Sequence, residues 1–103
     1  MIHALKTLPE YFEAVRKGDK TFELRENDRD FKVGDYLALN EWDGKTYTGR
    51  SQLVKVTYIL DPNEVMTCAG GYVIMSIAPG IGSAVTNPFD NERRGGDKDA
   101  EQV

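Results

Sequence analysis

The fold of this chain is decided by the stretch Gly18-Asp19-Lys20-Thr21-Phe22-Glu23-Leu24-Arg25. Its polar and apolar residues alternate with a period of two, which is typical of a half-buried strand. The alternation predicts that Phe22 and Leu24 face inward and that Thr21, Glu23 and Arg25 face outward. Neighbours on one face of a strand lie roughly 6.5–7 Å apart. One small polar ligand could therefore contact two or three of the outward side chains.

The outward row has two interpretations. In the first, Lys20, Glu23 and Arg25 border a ligand site, because an ammonium, a carboxylate and a guanidinium together match a ligand with mixed donors and acceptors. In the second, Glu23 and Arg25 form an ordinary ion pair on a solvated face, worth under about 1 kcal/mol. The spacing of the residues is compatible with both.

Length and charge limit the possible functions. The chain has 103 residues and a net charge of −4, which indicates one acidic domain without the basic surface typical of binding along a nucleic-acid backbone. Its single cysteine, Cys68, excludes an internal disulfide, and zinc-ligand spacing is missing from the sequence. We expect no cofactor, no metal and no membrane association. The expectation is a cytoplasmic monomer, since the sequence shows neither a signal peptide nor a membrane-length apolar run.

The remaining elements follow from local signals. Residues 2–6 suit a short strand, and Thr7 is a candidate N-cap for a helix that has Pro9 in its first turn and ends at Gly18. Phe31 and Val33 resume the apolar alternation, and turn signals then delimit further predicted strands at residues 36–42, 53–60 and 71–77. Residues 80–103 are polar and rich in glycine, which indicates a flexible tail after a domain at 1–79.

These elements predict an α+β, mainly β fold. About five strands follow one another through turns, so the sheet should be largely antiparallel. A small barrel that is closed or nearly closed avoids exposed strand edges. The N-terminal helix would cover one opening of that barrel.

The same stretch resembles a known signature. Gly18, Lys20, Glu23 and Arg25 match the G-x-K-x-x-E-x-R motif of ASCH domains, which have PUA-like β-barrels. The surrounding sequence resembles a small ASCH-related family of bacteria and phages without an assigned function. The resemblance covers roughly residues 2–78 and includes these segments: Pro9-Glu10-Tyr11-Phe12, Asn27-Asp28-Arg29, Glu41-Trp42, Tyr47-Thr48-Gly49-Arg50 and Gly71-Tyr72-Val73.

The resemblance implies a module that binds RNA or a nucleotide-like small molecule in a cleft between helix and sheet. An unstacked base is the expected target, because helical RNA hides its base edges in a deep groove. Trp42 or Tyr47 could stack on a flat ring, at about 1–3 kcal/mol per base. The complete set of predicted ligand-binding residues is Lys20, Thr21, Glu23, Arg25, Asn27, Arg29, Trp42 and Tyr47.

Two alternatives stay open. Some small proteins that the chain resembles are amidohydrolases of N4-acetylcytidine, in which case Lys20 and Glu23 would be the catalytic residues. Those enzymes have a threonine at the Glu23 position and a distant glutamate, for which Glu64 is the only candidate in the predicted domain. The carboxylate of Glu23 argues against turnover, since it favours the charged form of a nearby lysine. The third possibility is a protein partner that the tail contacts.

Overall fold

The computed structural model describes residues 1–66 and 70–80. Cys68 and the predicted tail beyond Gly80 lie outside the described residues. The elements are β1 (Ile2–Thr7), α1 (Pro9–Arg16), β2 (Phe22–Glu26), β3 (Tyr36–Trp42), β4 (Tyr47–Leu60), a 3-10 turn (Pro62–Glu64) and β5 (Tyr72–Pro79). The predicted mainly β, α+β class is confirmed.

The described strands form one five-stranded sheet in the order β1-β3-β4-β5-β2, curled into a half-barrel with one helix. The β3–β4, β4–β5 and β2–β5 pairs are antiparallel, whereas β1 and β3 pair in parallel. The parallel pair arises because α1 and β2 intervene between β1 and β3, and a parallel neighbour needs such a long connection. The chain therefore begins at one edge of the sheet and places β2 at the other.

Helix α1 and its ends position the stretch that follows. Pro9 occupies the first turn, as predicted, but the N-cap is Leu8 without a side-chain hydrogen bond. The prediction of Thr7 as the cap was wrong, because this residue ends β1 and is fully buried there. Gly18 has φ +85°, the left-handed conformation that stops helices, and Lys20 N then donates to Ala14 O at 3.0 Å. The turn at Gly18 therefore reverses the chain, so that the backbone of Lys20 contacts the last turns of α1.

The hydrophobic core fills the concave side of the sheet. Val15 of α1 packs against it and so joins the helix to the sheet. The buried apolar residues of this core are Leu5, Phe31, Leu37, Leu39, Val54, Val56, Val73, Met75 and Ile77.

The two faces of β2 are the reverse of the predicted ones. Phe22 is 43% exposed and Leu24 half-buried, whereas Glu23 and Arg25 are 0% and 2% exposed. The period of two was therefore right, and the assignment of its faces was wrong. Hydrophobicity predicts which face of a strand is buried only when its polar side chains lack partners in the interior. Here Glu23 and Arg25 have such partners, so the polar face can be buried.

A buried pair joins the start of β1 to the residue that precedes its neighbouring strand β3. His3 Nε2 donates to Asp35 Oδ2 at 2.7 Å, and the His3 ring meets Phe31 edge-on at 4.8 Å. Burial raises the pKa of Asp35, but the hydrogen bonds from His3 and from Lys32 N outweigh it and hold that pKa below its ordinary 3.8. The carboxylate therefore stabilises the fold above about pH 3.8.

Replacing Asp35 tests the contribution of this buried pair to stability. We expect Asp35→Ala to lower the free energy of unfolding by about 1–3 kcal/mol at pH 7, because His3 loses its buried partner. The loss should shrink as the pH falls through the lowered pKa, since the native carboxylate is then protonated too. Urea unfolding at several pH values measures both effects, with the exposed Asp19→Ala as the control. An equal loss for both variants at pH 7 would contradict the assigned role.

Candidate ligand-binding site

Three buried charged groups of the Gly18–Arg25 stretch form one hydrogen-bonded chain. Lys20 Nζ donates to Glu23 Oε1 at 2.8 Å and to the carbonyl of Phe22 at 2.9 Å. Arg25 Nε donates to Glu23 Oε2 at 3.4 Å. Each carboxylate oxygen therefore faces one cation, and this mutual compensation permits charges inside so small a core.

The guanidinium of Arg25 also joins the two edges of the sheet. Its Nη2 donates to the carbonyl of Lys6 at 3.0 Å. Lys6 lies on β1 and Arg25 on β2, the two strands at opposite ends of the strand order. A side chain thus spans the gap that strand pairing leaves open in the half-barrel.

A cleft lies between α1, the residues that follow it, the first half of β4 and the end of β5. Its volume is about 540 Å³. β4 pairs with β3 along this first half, while β5 reaches it only from Val54 onward, where Val54 pairs with Pro79. The space beside β4 is therefore bounded by the helix instead of a strand. The apolar residues of its lining include Phe12, Val15, Leu53, Val54, Ile77 and Pro79.

The polar lining of the cleft is cationic. Arg16, Lys20 and Arg50 border it, together with the uncharged Thr21 and Gln52. Among the described residues that line it, none carries a carboxylate. The cleft therefore favours an anionic or electron-rich ligand, although the whole chain has a net charge of −4.

A bulge in β4 directs Arg50 to the cleft. Asn40 pairs with Ser51 and Trp42 with Tyr47, so residues 48–50 lie opposite Glu41 alone. Gly49 at φ +96° permits the extra residues. Arg50 then places its guanidinium 4.7 Å from the centre of the Phe12 ring, with Nε 3.6 Å from a carboxylate oxygen of Glu41.

Glu13 bridges the two arginines of the cleft. Arg16 donates to it from Nε and, at 2.8 Å, from Nη2, and Arg50 Nη2 donates to its other oxygen. The hydrogen bonds from Arg16 and Arg50 lower the pKa of Glu13 from 4.5 to about 2. The bridge therefore remains charged over the whole physiological pH range.

The predicted ligand-binding residues are only partly brought together. Lys20 and Thr21 line the cleft, while Glu23 and Arg25 lie behind Lys20 in the interior. The other four residues do not line the cleft. Asn27 Oδ1 accepts from Phe31 N at 3.0 Å.

Arg29 faces Asp28, and the ring of Trp42 has Lys6 Nζ 4.5 Å from its centre. Tyr47 is the cross-strand partner of Trp42. Glu64 ends the 3-10 turn and is itself exposed. The roles predicted for these residues in ligand binding stay predictions.

Sequence reasoning missed Arg16, Arg50 and Gln52 as cleft residues. A basic residue such as Arg16 in the last turn of a helix indicates only a favourable interaction with the helix dipole. A signal for Arg50 was present in the preceding Gly49, since a glycine inside a strand marks a bulge. Gln52 gave no such signal; its Nε2 donates to the carbonyl of Phe12 at 2.9 Å, which only the packing of α1 reveals.

The described residues add two negative observations. They contain no group of three His, Cys, Asp or Glu side chains placed to hold a metal ion. Within the same ranges, no helix is both long and apolar enough to cross a membrane.

Comparison with known proteins gives one family and one relative. Residues 2–77 match the family model described as Domain of unknown function (DUF3850). The chain is 38% identical over 63 residues to an "Uncharacterized 12.9 kDa protein in GpA 3'region" of Escherichia phage P2. That match covers 61% of this chain and 58% of the length of the phage protein.

Removing the central carboxylate of the buried chain tests its structural role. We expect Glu23→Ala to lower the free energy of unfolding by about 3–5 kcal/mol, because it leaves Lys20 and Arg25 as buried cations without their shared acceptor. Glu26→Ala, on the exposed end of the same strand, is the matched control. Urea unfolding followed by circular dichroism measures the difference. A similar small effect for both variants would show that Glu23 is not buried among cations.

The titration of Glu13 tests the arginine bridge. We expect an NMR midpoint of about 2 for its carboxyl carbon. Arg16→Gln and Arg50→Gln should each move the midpoint toward 4.5, because each removes a donor to the ionised form. Arg29→Gln is the control that should leave the midpoint unchanged. An ordinary midpoint in the native protein would mean that the bridge does not form in solution.

Proposed function

We propose that this chain, which belongs to the DUF3850 family, binds an unstacked base of RNA, or a nucleotide-like small molecule, in the cleft beside α1. The carrying observation is the cleft itself, which combines apolar walls, a cationic border and a volume of about 540 Å³. Ligand pockets typically measure about 300–1,000 Å³ and have mostly apolar walls with a few placed polar groups. A base with its sugar is a ligand of that size.

The lining suits a flat heterocycle with polar edges. The guanidinium of Arg50 already lies over the Phe12 ring, and a planar guanidinium can stack on a base from its other side. Thr21 and Gln52 offer a hydroxyl and an amide for hydrogen bonds to base edges. A base paired within a duplex could not enter a cleft of this shape, so the proposal is restricted to unpaired bases.

In this proposal, the residues of the Gly18–Arg25 stretch have two different roles, lining the cleft and holding the lining residue in place. Lys20 lines the cleft, whereas Glu23 and Arg25 do not. Glu23 is a positioning residue, because it fixes the ammonium of Lys20 at 2.8 Å, and Arg25 in turn holds Glu23. The resemblance of this stretch to the ASCH signature supports the proposal, since it implies the same class of ligand.

A second candidate function is hydrolysis of an acylated nucleoside such as N4-acetylcytidine. The observation that favours it is that Lys20 and the hydroxyl-bearing residue Thr21 line the same cleft. The reaction would add water across the amide bond and release cytidine and acetate. The contact between Lys20 and Glu23 makes this the weaker candidate, because the carboxylate keeps the ammonium engaged as a donor.

Filling the cleft tests the binding proposal. Ser51 lines the cleft, so Ser51→Trp should occupy it, whereas Thr57→Trp adds the same ring to an exposed position of the same strand. We expect short single-stranded RNA or a panel of ribonucleotides to shift NMR amide signals of residues 15–21 and 49–54. Ser51→Trp should weaken this binding at least about tenfold, which corresponds to roughly 1.4 kcal/mol, and Thr57→Trp should not.

The same samples separate the two functions. Incubation with N4-acetylcytidine, followed by chromatography, should show no cytidine if the protein only binds. Formation of cytidine that Lys20→Ala abolishes would establish the hydrolase instead. Shifts centred on residues 31–35, with none at the cleft, would place the ligand elsewhere and contradict the proposal.

A further inference from the structure

The ion-pair cluster of Glu13, Arg16 and Arg50 differs from the buried chain in its access to solvent. The side chains of Arg16 and Arg50 are 56% and 48% exposed, and that of Glu13 is 34% exposed. Lys20 and Glu23, in contrast, are sealed at 7% and 0%. The exposed cluster can therefore exchange partners without uncovering a buried charge.

The cluster also presents guanidinium groups, and no carboxylate, to the cleft. Two guanidinium groups share the carboxylate of Glu13, and Arg50 also lies 3.6 Å from Glu41, which does not line the cleft. Both arginines line the cleft, and Glu13 does not. An anion that enters the cleft therefore meets the same N–H donors that Glu13 uses, and it approaches them from the open side.

We infer that Arg16 and Arg50 bind a phosphate group of the ligand and that Glu13 occupies these donors until the phosphate displaces it. The inference rests on the proposed function and specifies its ligand class, a phosphate ester of a nucleoside and not the neutral nucleoside. A phosphate offers more acceptor oxygens and more charge than a carboxylate, and the planar fork of arginine matches its geometry.

Two further contacts fit a displaceable carboxylate. Arg50 keeps a second acidic neighbour when Glu13 leaves, since its Nε lies 3.6 Å from Glu41, which is buried. Arg50 also rests on the Phe12 ring, so its position over the cleft does not depend on Glu13 alone. Glu13 itself lies on the surface of α1 with 34% of its side chain exposed, so water can solvate its carboxylate after displacement.

The phosphate must be recognised locally. A chain with a net charge of −4 repels nucleotides at long range, so only a concentrated pair of cations can offset the repulsion. Glu13 then acts as an internal competitor. It lowers the affinity for weak anions and for any ligand that lacks the phosphate geometry.

The test compares nucleosides with nucleotides. Calorimetry would measure the four ribonucleosides and their 5′-monophosphates against the native protein, Glu13→Gln and Arg50→Gln. We expect at least one monophosphate to bind about tenfold or more tightly than its nucleoside, in line with a charge-assisted contact. Glu13→Gln should tighten binding of the monophosphate and leave the nucleoside unchanged. Arg50→Gln should abolish the advantage of the monophosphate.

Matched controls exclude general charge effects. Glu10→Gln removes a carboxylate from the exposed first turn of the same helix, and Lys32→Gln removes a cation in a loop that does not line the cleft. Both should change the affinities by no more than about twofold at physiological salt. Melting temperatures of all variants would show that the fold is retained.

The outcomes separate this inference from the proposed function. Equal affinity for nucleoside and monophosphate, without a selective effect of Glu13→Gln, overturns the phosphate inference alone. Failure of every nucleoside, nucleotide and short RNA to bind overturns the proposed function as well.

A comparison of a trinucleotide with and without a 5′-phosphate identifies the source of the bound phosphate. A selective effect of Glu13→Gln on both forms points to the RNA backbone, and one confined to the phosphorylated form points to a terminal phosphate.

Discussion

The structure depends on the contact between the guanidinium of Arg25 and the carbonyl of Lys6. Strand pairing leaves β1 and β2 as the two edges of a curled sheet, and this side chain spans the gap between them at 3.0 Å. The contact can form only if Arg25 faces inward, which in turn requires an acceptor for its charge inside the core. Glu23 supplies that acceptor, and Lys20 balances it. Closure of the fold and the position of Lys20 at the cleft are therefore consequences of one buried charge network.

Two clusters of cations around a carboxylate lie within the same small domain, and their environments differ. The Lys20–Glu23–Arg25 cluster is sealed, so its members remain with each other. Buried networks of this kind add little net stability, because desolvation offsets much of the attraction, but removing one member is costly because it leaves a buried charge uncompensated. The Glu13–Arg16–Arg50 cluster is partly exposed and borders the cleft, so its partners can be exchanged. The first cluster holds Lys20 in place in the wall of the cleft. The second cluster can change its hydrogen-bond partners when an anion enters the cleft.

The position of Glu23 also bears on the choice between binding and catalysis. A carboxylate that accepts from Lys20 on one oxygen and Arg25 on the other is committed to the interior. A hydrolytic role would need one of these partners released, with a large penalty for the group left buried. Binding needs no such change, because the cleft and its arginines are already formed. This geometry supports the proposed binding over the hydrolytic alternative, although hydroxyl-bearing residues, Thr21 among them, do line the cleft.

The sequence by itself determined the elements of this protein: the strand at the start, the helix with Pro9 at its beginning and Gly18 at its end, and the period-two strands that follow. These features depend on neighbours within a few residues, where capping, turn and alternation rules act. The faces of β2 could not be derived in this way, because the burial of Glu23 and Arg25 relies on Lys20 and on a carbonyl of β1 that lies 19 residues away from Arg25.

Of the candidate site, the sequence predicted only the residues that lie next to one another in the chain. Lys20 and Thr21 follow directly from the helix stop, and both line the cleft. Arg50 joins them only because a bulge in β4 and the packing of α1 bring distant segments together, contacts that no local pattern encodes. The sequence therefore determined which charged groups were present, and the tertiary structure decided which of them are buried and which line the cleft, since that depends on partners far apart in the chain.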